Sequence, residues 1–198
     1  MVGMVLGGLV LFFLFITFVV VSYGISKHNE IVRLDNAVAK RAGYVNSALQ
    51  RRYDLIPNLV ATVKAYAAHE RGTFEAVAKA RAAVGQFTVT PQMLANPEML
   101  KKFQAAQGEL SSALSRLMVV SERYPDLKAN QNFLELQAQL EGTENRIKVE
   151  RDNYNTAVEA FNNCIGQFPG NIFAGGRTEK PMFQLTTPDA QNAPQVKF

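Results

Sequence analysis

The stretch VGMVLGGLVLFFLFITFVVVSYGI, residues 2–25, decides the fold. It contains no charged side chain, and a helix of this length spans about 36 Å, enough to cross a hydrocarbon core of about 30 Å. We therefore predict that residues 1–26 form one transmembrane anchor. The side chains that we assign to the membrane span are Val2, Leu9, Phe13, Ile16, Val20 and Ile25.

A cleaved signal peptide is the competing explanation for this segment. Signal peptides carry a basic stretch before the apolar run and a small-residue cleavage site. No Lys or Arg precedes residue 2, and SYGIS at residues 22–26 is a poor cleavage site, so we expect a permanent anchor. Basic residues follow the anchor, and the positive-inside rule then favours a cytoplasmic location for the rest of the chain, with a periplasmic one left open. These residues are Lys27, Arg33, Lys40 and Arg41.

Beyond the anchor, apolar residues recur every seven positions, which is typical of helices that pack along a common seam. One row of the first segment contains Ala42, Leu49, Ile56 and Val63; the other contains Ile31, Val38, Val45, Arg52, Leu59 and Tyr66. Pro57 and Gly72 interrupt this segment. Pro57 predicts either a kink near residues 53–56 or a new helix that Asp54 caps.

Two further helices show the same period. The second begins at Asn96, an N-cap followed by proline, and stops near Pro125. The third ends at Pro169, and its row consists of Phe133, Leu140, Ile147, Tyr154, Phe161 and Phe168. We predict an all-α fold, in which the transmembrane helix precedes an antiparallel, coiled-coil-like bundle of three or four long helices over residues 27–168. Residues 169–198 are predicted to be an irregular tail packed on the bundle, through Phe173, Met182, Phe183, Val196 and Phe198.

The composition argues against several kinds of site. A single cysteine, Cys164, allows neither a disulfide framework nor a cysteine-based zinc site within one chain. The net charge of +4 is modest, and no phosphate-binding loop, dinucleotide fingerprint or nucleic-acid motif occurs. We expect no catalytic residue, no cofactor, no metal, no small-molecule substrate and no nucleic-acid partner.

Charged residues interrupt the predicted seams near their middle. Arg52 falls on the first seam, and Glu144 and Arg151 fall on the third. With their neighbours they form a candidate polar layer or interaction site, composed of Arg51, Arg52, Asp54, Glu141, Glu144, Arg146 and Arg151. This layer is either a set of ion pairs that fixes the register, a solvated stretch, or a groove for a charged partner segment. No base, nucleophile or metal set accompanies the carboxylates.

Three long strings resemble the LemA family of bacterial membrane proteins. They are RRYDLIPNLVATVKAYAAHE at 51–70, YPDLKANQNFLELQAQLEGTENRI at 124–147 and RDNYNTAVEAFNNCIGQFPGNIFAG at 151–175. Residues 196–198 also resemble the end of that family. The resemblance implies a single-pass anchor in the bacterial inner membrane and a helical domain, without known catalytic residues or a cofactor.

The leading hypothesis is a non-enzymatic, membrane-anchored scaffold that forms a homo-oligomer and organises membrane protein complexes or membrane shape. The alternative is an adaptor or regulator bound to another membrane protein, such as a protease or transporter. A remote third possibility is phosphotransfer through His69, because HERGT at residues 69–73 resembles the phosphoacceptor box of histidine kinases. No nucleotide-binding region accompanies this string. The lipid bilayer is the partner expected in every case.

Overall fold

The structure is a computed structural model that describes the backbone of residues 2–184 and the side chains of residues 6–184. This range contains helices joined by turns and loops and no strand, which confirms the all-α part of the predicted fold class. Its helices are α1 (Val2–Tyr66), α2 (Arg71–Gly85), α3 (Pro91–Leu94), α4 (Pro97–Ser121), α5 (Pro125–Lys128) and α6 (Gln131–Gly166), followed by a 3-10 turn (Gly170–Phe173).

Helix α1 is a single helix of 65 residues, which corresponds to a length of about 95 Å. It crosses the anchor boundary predicted at residue 26 without a break. It also continues through Pro57, so the prediction of a new helix capped by Asp54 is wrong. Proline leaves the carbonyl four residues earlier without its helical donor. That carbonyl, of Tyr53, accepts a hydrogen bond from Arg81 Nε of α2 at 3.4 Å, and the Arg81 guanidinium lies 3.8 Å from the Tyr53 ring centroid.

The ends of the other helices follow the capping signals in the sequence. Asn96 Oδ1 accepts the Met99 amide at 3.0 Å, and Asn130 Oδ1 accepts the Phe133 amide at 3.0 Å. The start of α4 is therefore confirmed. Helix α6 ends at Gly166, two residues before Phe168, so the assignment of Phe168 to the third seam is wrong.

Helices α1 and α6 run antiparallel, as three contacts between them show. Arg41 Nη1 lies 3.9 Å from Glu150 Oε2, Arg51 bonds Gln139 at 3.1 Å, and Asn130 donates to the Tyr66 hydroxyl at 3.0 Å. Residue numbers therefore rise along α1 as they fall along α6. Helix α2 packs on α4. Tyr66, the last residue of the first seam, is exposed. Helix α1 ends there, and a turn leads to α2, which begins at Arg71.

The buried apolar residues form two clusters. The proximal cluster, nearer the apolar segment, contains Ile31, Val38, Ala42, Val45, Ala48, Leu49, Leu94, Leu100, Phe103, Ile147, Tyr154, Val158, Phe161, Ile165, Ala174 and Phe183. The distal cluster contains Ile56, Leu59, Val63, Ala67, Val77, Ala80, Leu110, Ala113, Leu114, Leu117, Val120, Leu127, Phe133 and Leu140. Most of the predicted seam residues lie in one cluster or the other.

The described part of the tail is held on α6 by two asparagines. Asn155 bonds both the amide and the carbonyl of Phe183 at 2.8 Å, and Asn162 does the same for Lys180 at 2.9 Å. Lys180 Nζ in turn lies 2.8 Å from Asp35 Oδ1 of α1. The tail residues Val196 and Phe198 lie outside the described range.

The close approach of Gly170 to the end of α6 gives a test of how the tail packs on this helix. A Cβ built on Gly170 would lie 1.8 Å from the carbonyl oxygen of Cys164, so backbone must move to admit a side chain. We expect Gly170→Ala to lower the free energy of unfolding by about 1–3 kcal/mol, the usual cost of overpacking. The matched control is Gly142→Ala in α6, where nothing lies within 4 Å and alanine favours the helix by about 0.5–1 kcal/mol. Equal unfolding midpoints for the two variants in detergent would contradict this packing.

Candidate functional site

The candidate site is centred on Arg52, at the boundary between the two apolar clusters. Arg52 is 2% exposed and lies on α1 between Leu49 of the proximal cluster and Ile56 of the distal cluster. Its Nη1 donates to Glu144 Oε1 of α6 at 2.8 Å and to Ser111 Oγ of α4 at 3.2 Å. One guanidinium thus joins three helices at a single level.

The hydrogen-bonding capacity of this layer is only partly used. Arg52 Nη2 and Gln107 Oε1 are both buried, and neither has a hydrogen-bond partner among the residues that the structure describes. Buried polar atoms without partners are costly, and they are uncommon in folded proteins. The layer therefore contains an amino group with two N–H donors and one acceptor that are buried without a partner among these residues.

An open groove between α4 and α6 leads from the outside to this layer. Its volume is about 610 Å³. Carbon atoms make up most of its surface, although ten of its thirteen lining residues have polar or charged side chains: Gln104, Gln107, Ser111, Ser112, Glu144, Lys148, Arg151, Asp152, Asn155 and Gln184. The groove therefore combines a mainly apolar surface with several polar atoms that can orient a bound segment.

Arg151 lies at the mouth of this groove and holds the tail across it. Its Nη2 donates to the Gln184 carbonyl at 2.8 Å, and its guanidinium lies 4.9 Å from the Phe183 ring centroid. Burial lowers the pKa of Arg151, and the charge of Arg52 lowers it further, while Asp152 and Glu144 oppose the shift. Two cations therefore share one region with Glu144.

The structure brings together only part of the predicted polar layer. Glu144 and Arg151 line the groove, and the buried Arg52 pairs with Glu144 behind it, whereas the other four members are exposed: Arg51, Asp54, Glu141 and Arg146. Arg51 bonds Gln139, Asp54 accepts from Gln50, and Arg146 pairs with Glu150 at 2.9 Å.

Sequence reasoning missed three residues of this region. Gln107 falls on the seam of the second helix between Phe103 and Leu110, and this polar residue at a seam position was the available signal. Ser111 carries no charge and lies off that seam, so nothing in the pattern distinguishes it from solvent-facing residues. Glu150 is buried between Arg41 and Arg146. It follows Arg146 by four residues, a spacing that favours an ion pair on one side of a helix and could have indicated this contact.

His69 lies apart from the polar layer. It is exposed in the turn between α1 and α2 rather than on a helix. Its neighbour Glu70 pairs with Arg123 at 3.0 Å and accepts from the Tyr124 hydroxyl at 3.3 Å. Within residues 6–184, no group of three His, Cys, Asp or Glu residues could hold a metal ion.

The N-terminal part of α1 has the surface of a membrane helix. The large apolar side chains from Leu6 to Ile25 are exposed, including the predicted span residues Leu9, Phe13, Ile16, Val20 and Ile25. The side chain of Val2 lies outside the described set. In the described residues, α1 is the one helix that is long and apolar enough to cross a membrane.

Comparison with known proteins identifies the family. The model of the LemA family matches residues 41–198, well over half of the chain. The chain belongs to the LemA family. This LemA-family protein is 28% identical to magnetosome protein MamQ 2 of Paramagnetospirillum magneticum over 165 residues. The aligned region covers 75% of this chain and 60% of that protein. The chain is also 25% identical to Protein LemA of Metamycoplasma hominis over 168 residues, covering 82% of this chain and 73% of that protein. The chain thus spans only about three fifths of MamQ 2.

The ion pair between Arg52 and Glu144 predicts a different loss of stability for replacing each of its two members in this LemA-family protein. Glu144→Gln leaves a buried guanidinium without its counter-charge, and we expect a loss of about 2 kcal/mol in the free energy of unfolding. This is below the 3–5 kcal/mol typical of a fully buried pair, because the Glu144 side chain is 39% exposed. Arg52→Met removes the buried charge and its unpartnered nitrogen together, so its cost should stay within about 1 kcal/mol.

Urea unfolding of the full chain in detergent, followed by circular dichroism, measures both changes. The exposed Arg51→Met is the control and should shift stability by no more than about 0.5 kcal/mol. If Arg52→Met proves costlier than Glu144→Gln, the assigned burial of the guanidinium is wrong.

Proposed function

We propose that the protein is a non-enzymatic scaffold, a coiled-coil-like bundle of four long helices that is anchored in the bacterial inner membrane and self-assembles there. The observation that carries the proposal is the continuity of α1 from an exposed apolar segment into the buried seam of the helical domain. Membership of the LemA family supports membrane association without enzyme activity.

The anchor is supported by a change in the side chains of α1 near residue 27, from exposed apolar residues to an ion pair and then to a buried seam. Apolar side chains are exposed up to Ile25, and soluble proteins do not expose so extensive an apolar surface. Lys27 and Glu30 then form an ion pair at 2.7 Å, whose hydrogen bond raises the pKa of Lys27 and lowers that of Glu30. From Ile31 onward the seam is buried. With the basic residues that follow the anchor, the positive-inside rule favours a cytoplasmic bundle.

Self-assembly is supported by two exposed apolar side chains at one level of the α1–α6 pair. Tyr44 is 40% exposed and Val149 is 53% exposed. They share a level because Arg41, one turn before Tyr44, contacts Glu150, which adjoins Val149. Lys40 and Arg41 approach the Tyr44 ring at 5.9 and 5.8 Å. Confinement to a membrane raises the effective concentration of copies, so a contact of this modest size suffices for lateral association.

Blue-native electrophoresis of the full chain, extracted in mild detergent, tests self-assembly. We expect the parent protein to migrate as an oligomer, and Tyr44→Glu combined with Val149→Glu to shift it toward monomer, because charges would be buried in the contact. Ala82→Glu places a charge on the exposed surface of α2 and should leave migration unchanged. A monomeric parent would contradict self-assembly, and an unchanged double variant would contradict the contact at Tyr44 and Val149.

A second candidate function, an adaptor for another membrane protein, is favoured by the groove between α4 and α6. Polar side chains that line the groove, among them Gln107, Ser111 and Glu144, suit a polar segment of a partner. A photo-crosslinker at Lys148, which lines the groove, should then give one dominant heterologous product. Self-crosslinks alone would count against the adaptor. For phosphotransfer, an unchanged phenotype of His69→Gln in cells would remove the hypothesis.

A further inference from the structure

The loop after α6 ends beside the apolar segment of α1. The Phe173 ring covers Gly24 so closely that a Cβ on this glycine would lie 2.9 Å from Phe173 Cε1. The same ring meets Tyr23 edge to face, with centroids 6.5 Å apart. Tyr23 and Gly24 belong to the charge-free part of α1 that the proposed anchor places in the membrane. The loop therefore lies at the level of the last turn of that segment.

Two large apolar side chains of this loop face away from the protein. Phe168 is 81% exposed, more than any other large apolar side chain among residues 6–184, and Ile172 is 66% exposed. Neither contributes to the proximal cluster. Two such side chains next to one another on a water-facing loop would be unfavourable, because burial of apolar surface is a main source of stability.

The surrounding sequence has the polarity of a membrane interface. Residues 160–176 contain no Asp, Glu, Lys or Arg, although charged residues are frequent in the rest of α6. Charge returns at Arg177 and Lys180, which both contact Asp35 of α1, at 3.6 and 2.8 Å. The uncharged part of the loop thus lies on the membrane side of these ion pairs, as residues 2–26 do on α1.

We propose that the loop of residues 168–172 inserts Phe168 and Ile172 into the interfacial region of the bilayer that α1 crosses. This inference rests on the proposed membrane anchor. The occupant is lipid rather than protein because the loop continues the apolar surface of the anchor at its headgroup end. A second point of contact limits the tilt of α1 relative to the membrane, and it holds the bundle at a defined height above the headgroups.

Depth-dependent fluorescence quenching on the full chain tests this proposal. Cys164 is the only cysteine, so Cys164→Ala provides the background, and circular dichroism checks that it folds. Phe168→Cys is labelled with the environment-sensitive dye NBD, and the protein is reconstituted into phosphatidylethanolamine–phosphatidylglycerol vesicles. We expect blue-shifted emission that is quenched by nitroxides attached near the headgroups. Phe12→Cys serves as the label within the bilayer and Val119→Cys as the label on the distal part of the bundle.

The three labels separate failure of the loop from failure of the anchor. If the Phe12 label is quenched by lipid nitroxides and the Phe168 label responds only to aqueous iodide, the loop lies in water and the proposal is overturned while the anchor stands. If the Phe12 label is also reached by iodide alone, the anchor fails. Blue-shifted Phe168 emission without lipid quenching would mean that a second copy of the chain covers the loop, which also overturns the proposal.

Discussion

The rest of the structure depends on unbroken backbone hydrogen bonding along α1. A helix fixes the direction of every side chain, because each residue turns by about 100° relative to the one before it. The apolar segment and the buried seam that begins at Ile31 therefore have a fixed orientation relative to each other. The side of α1 that carries this seam packs against α6. Pro57 is the weak point of this arrangement, and Arg81 supports it by bonding the carbonyl that proline leaves without a donor. The apolar segment and the helical domain thus share one continuous helix, and we expect them to move as one rigid element rather than as two units on a linker.

We propose that the polar layer fixes the register in which α1, α4 and α6 pack. Apolar seams with a seven-residue period tolerate sliding, because one heptad can replace the next with little change in burial. Arg52 lies between the two apolar clusters and bonds Ser111 of α4 and Glu144 of α6, so a shifted helix would bury its charge without a partner. Buried ion pairs contribute little net stability compared with apolar packing, and specifying a register is the role for which they are best suited. Glu144 also lines the groove, so one member of this layer is accessible to a partner.

The sequence is informative where interactions are local or periodic. Asn96 caps a helix as its sequence context indicates, and most residues of the seven-residue rows are buried. It is uninformative where distant residues decide the outcome. The carbonyl that Pro57 leaves without a donor accepts from a guanidinium of α2, and the tail is attached through backbone contacts with Asn155 and Asn162. In the candidate site the charged residues and the polar seam position Gln107 are visible in the sequence, whereas Ser111 is not, because its role depends on which helix packs beside Arg52.

Hydrogen–deuterium exchange of the full chain in lipid nanodiscs tests the rigidity of α1 most directly. Amides in an intact helix exchange slowly, and a hinge exposes several consecutive amides to solvent. The structure predicts protection without a gap from Val20 to Leu34, across the membrane boundary. A group of fast-exchanging amides between Tyr23 and Glu30 would show a flexible linker and would contradict the single rigid element described above.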